Sequence, residues 1–434
     1  MDEKTEPSTG PASGYTRREF VKGSAVLLGG ALAGPWPLLH AFASDNEPIS
    51  LFLDKVLLSW RKNADTPNAL FHPYFDRQWQ RYKDGPRTLV TQTRITYNFM
   101  RAFERTGDQA YAQLALRGLD ALTTYFWAGD NKGWHWSCHP DGRLLDDTSD
   151  AYGQAFVILV FSTAAAVFKN DHYRDMALLT WQYMQQRFRD KQGGLVWKVN
   201  RDGRVLDTFK SQNPMMHVFE ALLALAPLDT TGTVRKDATG IWHFIRARMP
   251  SPGCLPEWYD TSWQPVRTGD KAIIEVGHAF EWAFLLSEAQ ALNLESNLME
   301  PAREFLAYGM QHGYDSKAGG IFSRVDLEGN LLKDTRKGWW EQCEAIRTMQ
   351  RYVTRHNSKE IIEPLKRSID FVRQHYMDAV YGGWYENPPG LGGTESLIKG
   401  SMYKLDYHVV NMCREILAAD SLSNTRAKIA ADTK

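Results

Sequence analysis

The chain has 434 residues, 43% apolar and 24% charged, with 51 Lys and Arg against 51 Asp and Glu. That balance argues against a nucleic-acid partner, which needs a basic face, and the apolar content suits an ordinary globular core. Four cysteines (Cys138, Cys254, Cys343, Cys413) without a Cys-x-x-Cys pair argue against a zinc or iron–sulfur centre, while leaving room for one disulfide.

Residues 1–43 read as an export address. Thr16-Arg17-Arg18-Glu19-Phe20-Val21-Lys22 has the form of a twin-arginine signal, the apolar run Ala25 to Ala33 follows, and Ala41-Phe42-Ala43 is an A-x-A cleavage site. The run is too short for the roughly 20 residues a bilayer span needs. No Cys lies near the cleavage site to carry a lipid. The expectation is a signal peptide over 1–43, recognised by the Tat export machinery, and a periplasmic protein of one domain over 44–434 with no stable membrane anchor.

Beyond residue 50 a unit of about sixty residues repeats six times. Its turns lie at Gly133-Trp134, Gly193-Gly194, Gly253-Cys254, Gly319-Gly320 and Gly382-Gly383, with a degenerate first copy near Leu70-Phe71. Spacings of 63, 60, 60, 66 and 63 residues signal stacked supersecondary units. Behind each turn two kinds of segment alternate. Asp108 to Phe126, Tyr173 to Phe188, Val234 to Met249, Met299 to His312 and Lys359 to Met377 carry charges at helical spacing, as solvated outer helices do. Ile95 to Phe103, Tyr152 to Phe168, Met215 to Ala226, His278 to Ala291 and Val409 to Ala418 are apolar nearly all round, as helices buried on every side are. Six such pairs predict an all-α (α/α)6 barrel. Asp141-Gly142, Asp202-Gly203 and Glu328-Gly329 sit between apolar runs and predict short β-hairpins. All of these hairpins join an outer to an inner helix, so they share one end of the barrel, where a ligand-binding mouth is expected.

The repeat also aligns chemistry. Arg94, His217, His278, Glu344 and His408 fall 22 to 26 residues behind five of the six turns, so closing the ring makes them converge and sets His408 beside Arg94. His217-x-x-Glu220 and His278-x-x-Glu281 place a carboxylate on the same helix face as an imidazole, an arrangement that orients a general base. Two imidazoles across a pocket could move a proton between two carbons or between two faces of one carbon, with Arg94 holding an enediolate oxygen. The same His-x-x-Glu pairs fit a carboxylate-bridged metal less well, since such sites need further acids on facing helices. Neither a metal nor a cofactor is expected. Trp339 and Trp340 could form a stacking wall, with Glu344 a hydroxyl partner. Asp146, Asp147 and Asp150 precede an inner helix as caps; alternatively, Asp150 and Glu344 are the two carboxylates of a glycosidase.

Taken together, Gln92-x-Arg94, Asn213-Pro-Met-Met-His217 with Glu220, Gly277-His278-Ala-Phe-Glu281-Trp282, Lys337-x-Trp339-Trp340-x-x-x-Glu344 and Lys404-x-x-Tyr407-His408 resemble the N-acylglucosamine 2-epimerase family from about Phe71 to Leu417. The resemblance implies an (α/α)6 barrel and cofactor-independent isomerisation or 2-epimerisation of a free sugar. It makes His278 and His408 the proton-transfer pair. It makes Arg94 and His217 supports for the enediolate and the substrate hydroxyls; Glu220, Glu281, Trp339, Trp340, Glu344 and Tyr407 complete the expected substrate-binding set. Tyr403, Asp406 and Asn411 stand where the family usually has Trp, Pro and Arg. The rival expectations are a glycoside hydrolase or polysaccharide lyase on the same barrel, and a non-catalytic periplasmic sugar-binding protein.

Overall fold

The computed structural model describes residues 49–432, and side chains as far as residue 419. The twin-arginine segment and its cleavage site lie outside the described residues. Twelve α-helices are found among those described: α1 Ile49–Ala64, α2 Leu89–Thr106, α3 Gln109–Tyr125, α4 Ala151–Phe168, α5 Asp171–Arg187, α6 Gln212–Leu225, α7 Thr233–Arg246, α8 Val276–Ala291, α9 Met299–His312, α10 Trp339–His356, α11 Ile362–His375 and α12 Tyr407–Asp432. The even-numbered helices pack side by side in the order α2, α4, α6, α8, α10, α12, and α12 returns to α2. The odd-numbered helices pack outside them. This is the (α/α)6 barrel.

Composition decides which ring a helix joins. Helix α4 is apolar enough to cross a membrane by length and mean hydropathy (1.8), yet 78% of it is buried inside the barrel. Helix α7 is amphipathic and buries only Val234, Ala238, Ile241, Trp242 and Ile245, one face at helical spacing. Helix α10 is the informative departure. It lies in the inner ring but buries Glu341, Glu344, Arg347 and Arg351. Charges that would place a helix outside are here paired inside the ring: Arg347 with Glu344 of the same helix, and Arg351 with Glu288 of α8. Helix α1 precedes the first Gly turn, so the repeat does not announce it. Its Phe52, Leu53, Val56, Leu57 and Trp60 nevertheless form a buried helical stripe.

The hairpins do more than join outer to inner helices. Each also pairs with the strand that opens the preceding inner helix: Arg87–Thr88 with Ser137–Cys138, Ser149–Asp150 with Lys198–Val199, Lys210–Ser211 with Trp258–Tyr259, and Ile274–Glu275 with Arg324–Val325. A Phe75–Gly400 bridge ties the last unit to the first. One backbone bond recurs in this lattice. The first helical N–H of an inner helix donates to the hairpin of the next unit, Leu89 to Trp136 O, Ala151 to Trp197 O, Gln212 to Glu257 O and Val276 to Ser323 O. Donors that a helix start would otherwise leave unpaired are thereby satisfied. The helix starts are anchored to a rigid rim, and the residues of interest sit in the first two turns behind it.

Candidate active site

A cavity of about 760 Å³ opens at the hairpin end, lined among others by Arg94, His217, His278, Glu281, Trp339, Trp340 and His408. Seven of the ten residues singled out from the sequence therefore share one wall-to-wall space. The other three, Glu220, Glu344 and Tyr407, stand directly behind it and bind the residues that line it.

His408 Nδ1 lies 2.7 Å from Glu344 Oε1, and Arg347 Nη1 donates to Glu344 Oε2 at 3.1 Å. Glu344 is thus an imidazole partner rather than a free hydroxyl acceptor. His217 Nδ1 lies 3.0 Å from Glu220 Oε2, whose other oxygen accepts the Tyr407 hydroxyl at 2.7 Å. That pair meets the helical spacing expectation. His278 does not: its Nδ1 lies 2.7 Å from Glu257 Oε2, on the hairpin of its own unit. Glu281, three residues on, faces the barrel axis, and neither of its oxygens has a hydrogen-bond partner. The i,i+3 rule brings two side chains to one helix face; it does not say whether a better-placed acceptor arrives from outside the helix.

With Nδ1 engaged in each case, Nε2 is the nitrogen left to meet a ligand. The two imidazoles of His278 and His408 flank one indole, their ring centroids 4.9 and 5.8 Å from that of Trp340. Trp339 packs edge-on to His408 at 5.5 Å. Arg94 is held by aromatic faces, its guanidinium carbon 4.3 Å from the Phe156 ring centroid and 5.1 Å from that of Tyr407. One of its nitrogens donates to the Tyr152 hydroxyl at 2.6 Å, while Nε is buried without a partner.

Protonation follows from these partners. Burial opposes charge on His278, but the Glu257 carboxylate, with Glu275 and Glu341 behind it, outweighs burial and raises its pKa above the usual histidine value. Burial drives His408 down, and the Glu344 bond only partly offsets this against Arg94. Glu344 is kept ionised despite burial, first by Arg347 and then by His408. Burial, reinforced by the Glu344 and Glu220 carboxylates, pushes Glu281 well above the carboxylate range. A neutral Glu281 can donate a hydrogen bond where its neighbours can only accept.

Among the described residues there are two sets of possible metal donors, His217–Glu220–Glu281 and Glu281–Glu344–His408, each with donor atoms within 4.8 Å of one another. Their carboxylates already receive positive charge from Arg347, and Glu281 also from Arg94. The glycosidase pair expected from the sequence does not form: Asp150 accepts from the Gly153 N–H as the cap of α4, and neither Asp150 nor Glu344 is among the cavity-lining residues. Asp146 and Asp147 pair with Lys198 and Arg201. The three family departures also find their places. Tyr403 stands at the mouth and is 64% exposed. Asn411 accepts from Tyr97 at 2.8 Å, with Arg414 Nη1 at 3.5 Å. Asp406 is fully buried at φ +56°, a dihedral proline cannot adopt. All four cysteines are free thiols and buried.

The family model described as N-acylglucosamine 2-epimerase (GlcNAc 2-epimerase) matches residues 70–412. The chain belongs to this family. Within it, the chain is similar to a D-mannose isomerase of Marinomonas mediterranea, 23% identical over 84% of this chain and 95% of that protein. It is also similar to a cellobiose 2-epimerase of Bacteroides fragilis, 21% identical over 84% and 96%. A crystal structure of a D-mannose isomerase superposes with a TM-score of 0.78 at 23% identity, covering 85% of this chain and 97% of that one. Membership accounts for the barrel. The Glu257 partner of His278 was missed from the sequence; the signal that could have found it is its place in the hairpin register shared with Trp136, Trp197 and Ser323.

Proposed function

We propose that the protein is a sugar isomerase or epimerase acting on a free reducing sugar, of the size of mannose or cellobiose, through an enediolate. One observation carries this reading: two imidazoles, each with Nδ1 tied to a buried carboxylate and each packed against the Trp340 indole, line a single cavity. The sugar binds open-chain. One imidazole Nε2 takes the proton from the carbon beside the carbonyl, and the carbonyl oxygen gains the charge. Arg94 is placed to hold that oxygen, and the starts of the inner helices aim positive dipole ends at the same space. The proton returned to the neighbouring carbon gives the aldose–ketose isomer. A proton from the second imidazole on the opposite face gives the 2-epimer. Ordinary histidine, with a pKa of about 6.5, suits both roles near neutral pH.

The test is turnover of mannose, glucose, fructose and cellobiose in heavy water, followed by proton NMR. The C2 proton is expected to disappear as product forms. His278→Ala and His408→Ala are each expected to lower kcat by about 10²–10⁴-fold with the circular dichroism spectrum retained. Either variant turning over at the wild-type rate would overturn the assignment. Release of new reducing ends from an oligosaccharide, or saturable binding with no product, would favour the hydrolase or binding-protein readings instead. Residues 1–43 support export to the periplasm; fractionation of cells expressing the full chain decides that, and an uncleaved cytoplasmic protein would refute it.

A further inference from the structure

We infer that Glu257 is a positioning residue of the reaction, fixing the tautomer and orientation of His278 and deciding how firmly its outward nitrogen holds a proton. The inference rests on the proton-transfer reading above.

Glu257 reaches the site from the hairpin between α7 and α8, and both its backbone and its side chain are locked there. Its N–H donates to Ile273 O at 3.0 Å, and its carbonyl accepts from Gln212 N at 3.2 Å. One carboxylate oxygen accepts from Ser211 Oγ at 2.8 Å. The other accepts from Gln212 Nε2 at 2.8 Å and meets His278 Nδ1 at 2.7 Å. Trp282 Nε1 donates to Gln212 Oε1 at 2.8 Å, which turns the amide nitrogen of Gln212 toward Glu257. The carboxylate thus has three donors around it; Gln212 Nε2 also lies 2.8 Å from His278 Nδ1, but Glu257 is held below the usual carboxylate range by these partners, and an ionised carboxylate can only accept, which puts the shared proton on Nδ1. Nε2 is then the nitrogen that gives or takes protons in the cavity, and the ring cannot rotate away without breaking the bond.

The three imidazole–carboxylate pairs of the site are not equivalent. Glu344 shares its charge with Arg347, and Glu220 accepts from Tyr407. Glu257 accepts from Ser211 and Gln212, both neutral, and neither Lys nor Arg hydrogen-bonds it among the described residues, so His278 is the one titratable group its carboxylate binds. The groups facing His278 are all acids: Glu257 from the hairpin, Glu275 from the strand before α8, and Glu341 from α10. Arg324 enters only through its 2.7 Å pair with Glu275. Those facing His408 are mixed, with Glu344, Glu220 and Glu281 set against Arg94 and the Arg347 behind Glu344. His278 therefore keeps its proton to a higher pH than His408. When His278 gives that proton to the enediolate carbon, the N–H electron pair stays on Nε2. The neutral ring that results retains its Nδ1–H bond to Glu257.

The experiment is Glu257→Gln in the full chain. An amide carries no charge, so the imidazolium loses its stabilisation and the alkaline limb of the kcat/KM–pH profile moves to lower pH. The expected fall in kcat is about 10²-fold, with KM changed by less than threefold. A wild-type profile and kcat in Glu257→Gln, in an enzyme that His278→Ala still inactivates, would overturn this inference and leave the reaction assignment standing. Should the variant fail to fold, the wild type decides. Histidine NMR titration is expected to show His278 titrating above 6.5 and above His408, with its Nδ1 proton in a strong hydrogen bond. The reverse order overturns the proposal.

Discussion

Glu281 poses the sharpest electrostatic question at the residue scale. It is buried, has no hydrogen-bond partner, and is surrounded by ionised acids. Its folded-state pKa is raised, so its stability contribution is whole below the unfolded carboxylate value and is lost as pH rises through the folded one. Glutamine at this position lacks that dependence. Glu281→Gln is therefore expected to match the wild type in urea unfolding near pH 4.5 and to become the more stable of the two as pH rises to 8. A difference that stays flat across that range would mean Glu281 is ionised in the folded protein. Residue-scale legibility was uneven for a related reason. The His217–Glu220 pair could be read from helical spacing because both partners share a helix. The His278–Glu257 pair spans 21 residues and a hairpin, and no local periodicity links them.

The element scale belongs to the turns. Their glycines adopt left-handed dihedrals, among them Gly253 at φ +74° and Gly382 at φ +69°. The two differ in what a side chain would meet. A Cβ at Gly253 would fall 2.2 Å from the Glu304 carbonyl oxygen, whereas nothing lies within 4 Å of one at Gly382. Gly382→Ala should cost about 1–2 kcal/mol, the left-handed penalty alone. Gly253→Ala should cost distinctly more, because the backbone of α9 must also move. Equal shifts in urea midpoint would show that the hairpin can slide off α9. The Gly turns were the clearest signal in the sequence because they are local: a left-handed dihedral favours glycine, although Asn, Asp and a few other residues also adopt it in this chain, among them Asn357 and Asp406. The cross-unit strand pairs were not legible. They are two residues long, and their register is set by barrel curvature rather than by any alternation pattern.

At the scale of the whole molecule, everything depends on the seam where the sixth unit meets the first. Asn98 donates to Leu405 O, and Tyr97 donates to Asn411, each at 2.8 Å. Asp406 accepts from Trp60 Nε1 at 2.8 Å and from Lys404 Nζ at 2.6 Å, with both Lys404 and Asp406 fully buried. The seam runs directly into Tyr407 and His408, so the bonds that close the ring also place a proposed catalytic group. Asp406→Asn tolerates the left-handed dihedral but leaves the Lys404 charge unpaired, and should cost about 3–5 kcal/mol. By contrast, Asp141→Asn, at an exposed pair with Arg143, should cost under about 1 kcal/mol. Similar losses of thermal stability in the two variants would show that the seam is not where the barrel is held shut.

The repeat, the alternation of outer and inner helices, and the level at which Arg94, His217, His278, Glu344 and His408 lie were all determined by the sequence alone. Each is a matter of spacing along the chain, and spacing is what a helix and a tight turn convert directly into geometry. Which carboxylate meets which imidazole was decided only by the tertiary structure, as was the inward turn of the charges on α10 and the upward push on the Glu281 pKa. Those are effects of low dielectric and of neighbours brought in from distant stretches of chain, and they exist only once the ring has closed and excluded water.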